Sequence, residues 1–529
     1  MKGAFRSVLS PIDKTTILSI LLISAIVNLL MLVIPVTIQI IVNIVAFGKM
    51  FRPVATLGLI VLVLMIGIAF LNIWQSIIIE TIRQKCIVNV SFDLTDLFTH
   101  SVFNNNLPEY QPDIPNRFFE IYPINKALAS ILINGTNLSL QTIFGLILLA
   151  IYHPLFLWFD AFILISLALI ILWPYKLAIK HAMEECVQKH RIAAWLEEVF
   201  CHNRLFNFLS YQRFAKKQTD KRLFSFLKTR NLEFRQLIKH QVGLYSLAAV
   251  SMSLLLCLGG YLVIQNQLSL GQLVAAEIVF SVIIYSFKDI FYLLENYYEL
   301  RASLNKISVM SALHADKTYD KSSEEFFIKI HTLQFQFDKA PVATVSKNKP
   351  LVIHLLKRED SFSLTKQLLG FSPLTNLSVT INHMSCNTAF LQAIRQYSLL
   401  INETQWFMGT VQENLLLNHK QLSSELIYQC LDAFNLQQKI MQLPKGLDTP
   451  LNEISDLLTL TDIAKIVMAR AYLAKPKILI IDCILDIFER SESELLLDVL
   501  LSELKDSLVI ILTLQEQFQQ LPNRLVLTP

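Results

Sequence analysis

Glycine is scarce in this chain, with 13 in 529 residues, and residues 311–529 hold three of them, at 370, 409 and 446. A loop that wraps phosphates with its backbone N–H groups needs several glycines close together, so the second part of the chain holds no glycine-rich loop. Charge is also sparse, at 17% of residues with a net charge of +4, which excludes the broad basic surface of a nucleic-acid-binding protein. The seven cysteines (86, 186, 201, 257, 386, 430, 483) form no C-x-x-C pair. That excludes a zinc ribbon and a disulfide framework, and isolated reduced thiols in a cytoplasm-facing protein are expected. No A-x-A site follows the first apolar run, and that run, Ile17 to about Val45, is too long for a cleaved leader, so a retained span is expected. What the chain has instead is apolar mass. A hydrophobic fraction of 53% and a mean hydropathy of +0.48 exceed those of an ordinary soluble protein.

The long apolar runs lie in the first 310 residues. At roughly 20 residues per crossing they predict six spans, at about 17–45, 54–79, 128–150, 154–174, 241–264 and 270–294. Pro35 is placed to kink the first. His153-Pro154 makes a short turn between the third and fourth, and residues 265–271 do the same between the fifth and sixth. Residues 175–240 carry fourteen Lys/Arg against six Asp/Glu, and the two short turns carry none. The positive-inside rule then places that segment, both termini and the following domain in the cytoplasm of an inner or plasma membrane protein, with Lys49 and Arg52 against it. Trp74, Trp158, Trp173, Tyr175, Tyr261, Tyr297 and Tyr298 cluster at span ends, as interfacial anchors do, so membrane lipid is an expected partner. Glu80, Asp160 and Glu277 are the ionisable residues in spans. Asp160 and Glu277 are candidates for a transport cavity, or for pairing with polar neighbours. The expected organisation is a membrane domain over 1–310, a polar linker over 311–325 and a soluble domain over 326–529.

The soluble domain is most telling between Leu457 and Glu489. IAKIVMARAYLA has apolar residues at helical spacing, and after Pro476 the run Ile478–Ile481 is apolar without alternation, as in a parallel strand covered on both faces. Asp482 follows at the strand's carboxyl end, where open α/β sheets place ligand chemistry. This order resembles the nucleotide-binding domain of the ABC transporter superfamily. Ile466, Ala469, Arg470 and Ala471 match its ARA helix, and Asp482 matches its Walker B aspartate. IRQYSLLINETQWFMGTVQENLLL (394–417) resembles its GT-x-x-EN segment through Gly409, Thr410, Glu413 and Asn414. LPKGLDTPLNE (443–453) matches the stretch before the signature, through Gly446, Asp448, Thr449 and Glu453. The membrane domain carries a diffuse resemblance to ABC exporters, especially the type I secretion and bacteriocin-export branch. Sixteen residues precede the first span, so the N-terminal peptidase domain of some secretion transporters is not expected.

The resemblance implies a six-span α-helical membrane domain followed by an α/β P-loop-NTPase-like domain, and it implies ATP, Mg²⁺ and a dimer. The positions that would handle ATP depart from the pattern. Anchored on LLGF (368–371), the phosphate loop falls on LLKREDSFS (355–363). Leu355, Arg358 and Asp360 stand at glycine positions, Ser361 at the lysine and Phe362 at the Mg²⁺-binding Ser/Thr. Asn402 stands at the Q-loop glutamine, Leu460 and Thr461 at the signature glycines, Cys483 at the catalytic glutamate and Leu514 at the switch histidine. The expectation is a degenerate domain without its P-loop and without ATPase activity. Phe337, Ser361, Asn402 and Asp482 are its residual nucleotide-site positions. No metal and no cofactor are expected, ATP and Mg²⁺ only where that site still binds.

Two functions follow. One is a half transporter exporting a substrate, by resemblance a peptide or protein, as a homodimer or as a heterodimer with another ABC half transporter. The alternative is a non-transporting pseudo-transporter acting as a regulatory or scaffold subunit. A membrane-anchored enzyme has no catalytic constellation behind it, since Ser361 and Ser363 lack a histidine base nearby and His354 lies in an apolar strand.

Overall fold

The computed structural model describes residues 13–47, 51–100, 116–208, 211–308, 332–337, 342–375, 377–382, 384–402, 406–417, 422–451, 457–515, 518 and 524–526. Lys49, the 311–325 linker and Glu453 lie outside the described residues. The chain divides into two compact units, one up to His314 and one from Ala315 onward.

The first unit is helical. Its helices are α1 (Lys14–Met31), α2 (Val33–Phe47), α3 (Phe51–His100), α4 (Ile121–Ser130), α5 (Thr136–Tyr152), α6 (Phe156–Cys201), α7 (Tyr211–Ile264) and α8 (Leu270–Ser308). A 3-10 turn, Arg117–Glu120, leads into α4, and a π-helical turn, Ile131–Gly135, joins α4 to α5. Among the described residues six helical segments are long and apolar enough to cross a membrane; five of the six expected spans fall within one, and the fourth, 154–174, begins two residues before its helix. The first is broken at Leu32. Pro35 has no N–H to offer the Met31 carbonyl and its ring crowds that carbonyl, so α1 ends at Met31 and α2 starts at Val33, two residues before the proline, with the Leu32 N–H turned back to the Leu29 carbonyl at 3.2 Å.

At 1.5 Å per residue the 46-residue α6 and the 54-residue α7 run to about 70 and 80 Å, more than twice a bilayer's apolar thickness. Their polar halves, within 175–240, therefore continue as helix beyond the apolar run. The two pack along each other, and α8 packs against α2, α4, α5, α6 and α7. Phe156, Phe159 and Ile163 of α6 meet Leu244 and Leu247 of α7 and Phe280, Ile283 and Phe287 of α8 in the core. Gly145 lets α5 approach α8, since a Cβ there would stand 2.9 Å from the Ile283 side chain. The opposite faces are apolar and exposed, as on α3 at Leu59, Val63, Ile66, Phe70 and Ile77, and Trp173 is 91% exposed. Lipid-facing spans account for such a surface.

The second unit is α/β. Strand β1 (Thr332–Phe337) pairs antiparallel with β2 (Ala343–Ser346) and with β4 (Leu377–Ile381), and β4 pairs with β5 (Met384–Cys386). A separate parallel sheet holds β3 (Leu351–His354), β6 (Ser398–Ile401), β7 (Ile478–Asp482), β8 (Leu508–Thr513) and β9 (Arg524–Val526) in the order β6-β7-β8-β3-β9. Every residue of β7 and β8 is buried, which is why neither alternates. Among the described residues, the helices of six or more residues that accompany the strands are α9 (Arg358–Leu368), α10 (Thr388–Ile394), α11 (Val411–Leu416), α12 (Ser424–Ala433), α13 (Leu460–Ala474) and α14 (Arg490–Glu503). LLGF closes α9. Gly370 takes φ +67°, and the Phe371 N–H reaches back to the Lys366 carbonyl at 2.7 Å.

Candidate functional site

Strand register brings the candidate residues to one edge. Ile401 pairs with Ile481, Asp482 with Leu512, and His354 with Thr513. The carboxyl ends of β6, β7, β8 and β3 are thus level. Asn402, Asp482, Leu514 and Leu355 all stand at the edge where parallel sheets place ligands. Phe337 belongs to the other sheet, at the end of β1 opposite Leu377.

The connection from β3 to α9 is three residues, Leu355 to Lys357. Leu355 is buried and extends the sheet pairing through its N–H to the Thr513 carbonyl at 2.9 Å. Arg358, Glu359 and Asp360 already form the first turn of α9, so two carboxylates complement its N-terminus. Ser361 is buried and its hydroxyl donates to Asp482 Oδ1. Phe362 is exposed, with the Lys366 ammonium 4.0 Å above its ring.

Cys483 follows Asp482 in a left-handed conformation, φ 50°, with its N–H donated to the Leu512 carbonyl at 3.0 Å. Burial, and then the Asp482 and Asp486 carboxylates, push its thiol up to about 12. Asp486 was not singled out from sequence, yet it organises the turn: it accepts from the Thr513 hydroxyl and from the Leu514 N–H at 2.9 Å. Neither ring nitrogen of His354 has a hydrogen-bond partner among the described residues. Thr459 caps α13 in a capping box with Asp462, and Asp462 accepts both Lys439 contacts, at 2.7 and 2.9 Å. Leu460, the first residue of α13, is 78% exposed.

The segments that match the family pattern outside this edge form one hydrogen-bonded brace. Thr410 caps α11 in a capping box with Glu413. The Asn414 side chain accepts from the Phe407 N–H at 3.0 Å and donates to the Phe407 and Thr410 carbonyls at 2.9 and 3.1 Å. Arg470 of α13 donates to the Asn414 carbonyl at 2.7 Å. The 446–449 segment docks on the same place, the Val411 N–H reaching the Thr449 carbonyl at 3.1 Å and the Leu451 N–H the Gly409 carbonyl at 2.9 Å. Gly446 itself takes φ +54°.

In the membrane unit Asp160 is buried on α6 and its Oδ1 has no hydrogen-bond partner among the described residues. Glu277 is half-buried on α8, and no ion pair joins the two among the described residues. Glu80 is exposed and pairs with Arg83 at 2.8 Å.

No protein-family model matches the chain. The uncharacterized ABC transporter ATP-binding protein YknU of Bacillus subtilis is 26% identical over 241 residues, covering 43% of this chain and 41% of that protein. The pediocin PA-1 transport/processing ATP-binding protein PedD of Pediococcus acidilactici is 21% identical over 460 residues, covering 80% of this chain and 61% of that protein. The matches thus span under two thirds of these curated relatives. The solved structure of a bacterial Atm1-family ABC exporter with ATP bound superposes with a TM-score of 0.77 at 13% identity, covering 98% of this chain and 94% of that one. That likeness shows the fold.

Proposed function

From a chain that belongs to the ABC exporter family as a half transporter, we infer an integral membrane protein of export architecture that does not itself hydrolyse ATP. The observation that carries this reading is the seating of Ser361 on Asp482 behind a three-residue β3–α9 connection. The place where phosphates would be cradled is filled by the first turn of a helix, and two carboxylates in that turn repel an anion. The carboxylate that would hold Mg²⁺ is engaged by a hydroxyl from the chain itself. A thiol held up at about 12 stays protonated at neutral pH and takes no proton from an attacking water. The exposed Leu460 and its neighbour Thr461 supply no glycine backbone for a γ-phosphate.

Half transporters act in pairs, and the reading includes a dimer, either of this chain or with another half transporter. The excess of basic residues in 175–240 supports a cytoplasmic α/β unit and two cytoplasmic termini. The pediocin transporter among its relatives favours a peptide or protein as the cargo class. A second reading, a regulatory or scaffold subunit that transports nothing, is favoured because both the phosphate loop and the signature positions are altered in the same chain. A composite site pairs one subunit's loop with the other's signature, so every site this chain enters lacks one side.

Equilibrium binding of labelled ATP, with and without Mg²⁺, to the full-length protein in nanodiscs tests the reading. No saturable binding up to millimolar nucleotide is expected. Saturable micromolar binding overturns it. Co-purification of a half transporter with intact nucleotide motifs selects the transporting form over the scaffold.

A further inference from the structure

Away from the sheet edge, three chemically different donors meet inside the membrane unit. Glu120 ends the 3-10 turn before α4, and Cys186 and His190 lie one helical turn apart on α6, on the same face. They are 2%, 6% and 6% exposed. Glu120 Oε1 is 3.0 Å from His190 Nε2, Glu120 Oε2 is 3.9 Å from Cys186 Sγ, and the three donor atoms all lie within 4.8 Å of one another. Ser303 of α8 donates its hydroxyl to Glu120 Oε2. Cys186 is twelve residues beyond position 174, about 18 Å further along α6 than the end of the apolar run.

We propose that Glu120, Cys186 and His190 bind a divalent cation of the zinc class, which clamps the Arg117–Glu120 turn to α6 beside α8. A thiolate, an imidazole and a carboxylate make the mixed S, N, O set that a tetrahedral borderline-soft ion takes. Metal–donor lengths of about 2.0–2.3 Å set neighbouring donors roughly 3.2–3.8 Å apart, so the separations here need only small side-chain adjustments. The fourth position falls to water or to the Ser303 hydroxyl.

Lys189 holds the site meanwhile. Its ammonium is 2.7 Å from Glu120 Oε1, and its side chain is 45% exposed, free to swing into solvent. The charges balance on exchange. One M²⁺ enters, the Cys186 thiol releases one proton to solvent, and the Lys189 ammonium withdraws, so the buried net charge is unchanged. That removes the usual objection to placing a dication in a dry site. Cys186 packs in the helical core with its thiol on Glu120 Oε2, and the metal reading turns that contact into a shared ligand set.

The full-length protein in detergent, stripped with chelator and titrated with Co²⁺, tests this. One Co²⁺ per chain is expected, with a thiolate-to-cobalt charge-transfer band and the ligand-field bands of four-coordination. Cys186→Ser should lose the charge-transfer band, His190→Ala should weaken binding at least about tenfold, and Cys201→Ser should change neither. Lys189→Met separates a metal site from an ion-pair cluster. With a metal, Zn²⁺ raises that variant's unfolding temperature and binds at least as tightly as in the parent. With an ion-pair cluster, the variant is destabilised and Zn²⁺ does nothing. Wild-type protein that retains no Co²⁺, or a charge-transfer band that survives Cys186→Ser, overturns the proposal whether or not the variants fold.

Discussion

The α/β unit contains two polar regions whose polar atoms both turn inward, and they differ in which residues they hold. In the brace, Gly409, Thr410, Glu413, Asn414, Thr449 and Arg470 spend their polar groups on one another and on backbone. At the strand edge, Ser361, Asp482, Cys483 and Leu514 take the positions at which the sequence resemblance expects a nucleotide site. There, too, the polar atoms turn inward, Ser361 onto Asp482 and the Leu514 N–H onto Asp486. The brace holds residues through which the sequence resembles the family pattern, and at the edge Asp482 does so while Ser361, Cys483 and Leu514 do not. Asn414 is the brace residue whose loss costs most, because it is fully buried and satisfies backbone groups that have no water to replace it. If the edge handles no nucleotide, as proposed, its residues answer to packing and to one another, which a thiol or a leucine satisfies as well as a glutamate or a histidine.

The sharpest way to break this comparison is at Asn414. It is fully buried and its amide satisfies three backbone groups. Asn414→Ala should cost about 2–3 kcal/mol and lower the unfolding temperature of the α/β unit, read by thermal unfolding and limited proteolysis of the full-length protein. A loss below about 0.5 kcal/mol would mean the brace is not structural. The two left-handed glycines come next. Gly370→Ala adds a Cβ 2.8 Å from the Gln392 backbone nitrogen and 2.9 Å from the Thr388 carbonyl oxygen, whereas Gly446→Ala meets nothing. Both bear the left-handed penalty of about 1–2 kcal/mol, so Gly370→Ala should exceed Gly446→Ala, and equal costs would refute the clash.

Much of the α/β unit was legible because its signals are local. Ile478–Ile481 announces a covered strand by running apolar without alternation. Pro35 marked the break in the first span. Thr459 and Asp462 also spell a capping box, which a reading of LTLTD as an altered signature passed over. The interior of the sites was not legible, because its contacts are remote in sequence. Ser361 meets Asp482 across 121 residues, and Glu120 meets Ser303 across 183. The i, i+4 spacing of Cys186 and His190 was the one local trace of that second cluster, and spacing alone names no third ligand.

A smaller effect separates the two regions by pH. Asp462 lies at the head of α13, between them. Burial alone would raise its pKa, but the Lys439 ammonium and the Thr459 hydroxyl and N–H hold the carboxyl below the usual aspartate value. A depressed folded pKa contributes stability that is present above the unfolded value, near pH 4, and fades as pH falls through the folded one. Lys439→Met removes the partner and leaves burial dominant, so the acid-induced loss should begin at higher pH than in the parent. Thermal unfolding measured from pH 7 down to 3.5 would show the two curves separating towards acid. Parallel curves would remove the Lys439 pairing from the account.

The smallest expected effect is at Leu460, and its smallness carries the argument. A leucine 78% exposed at the first position of a helix makes little contribution to folding, and it stands where the sequence resemblance expects a signature glycine. If the edge no longer handles nucleotide, Leu460→Ser should shift stability by less than about 0.5 kcal/mol and leave labelled-ATP binding at background. A different outcome has a definite meaning. A loss of more than about 1 kcal/mol would show that Leu460 is covered by a partner surface in the assembled dimer, because solvent exposure in the isolated chain offers no packing to lose. Measuring the variant in nanodiscs and after dissociation to monomer would then locate that surface at the head of α13, where the brace ends and the altered edge begins.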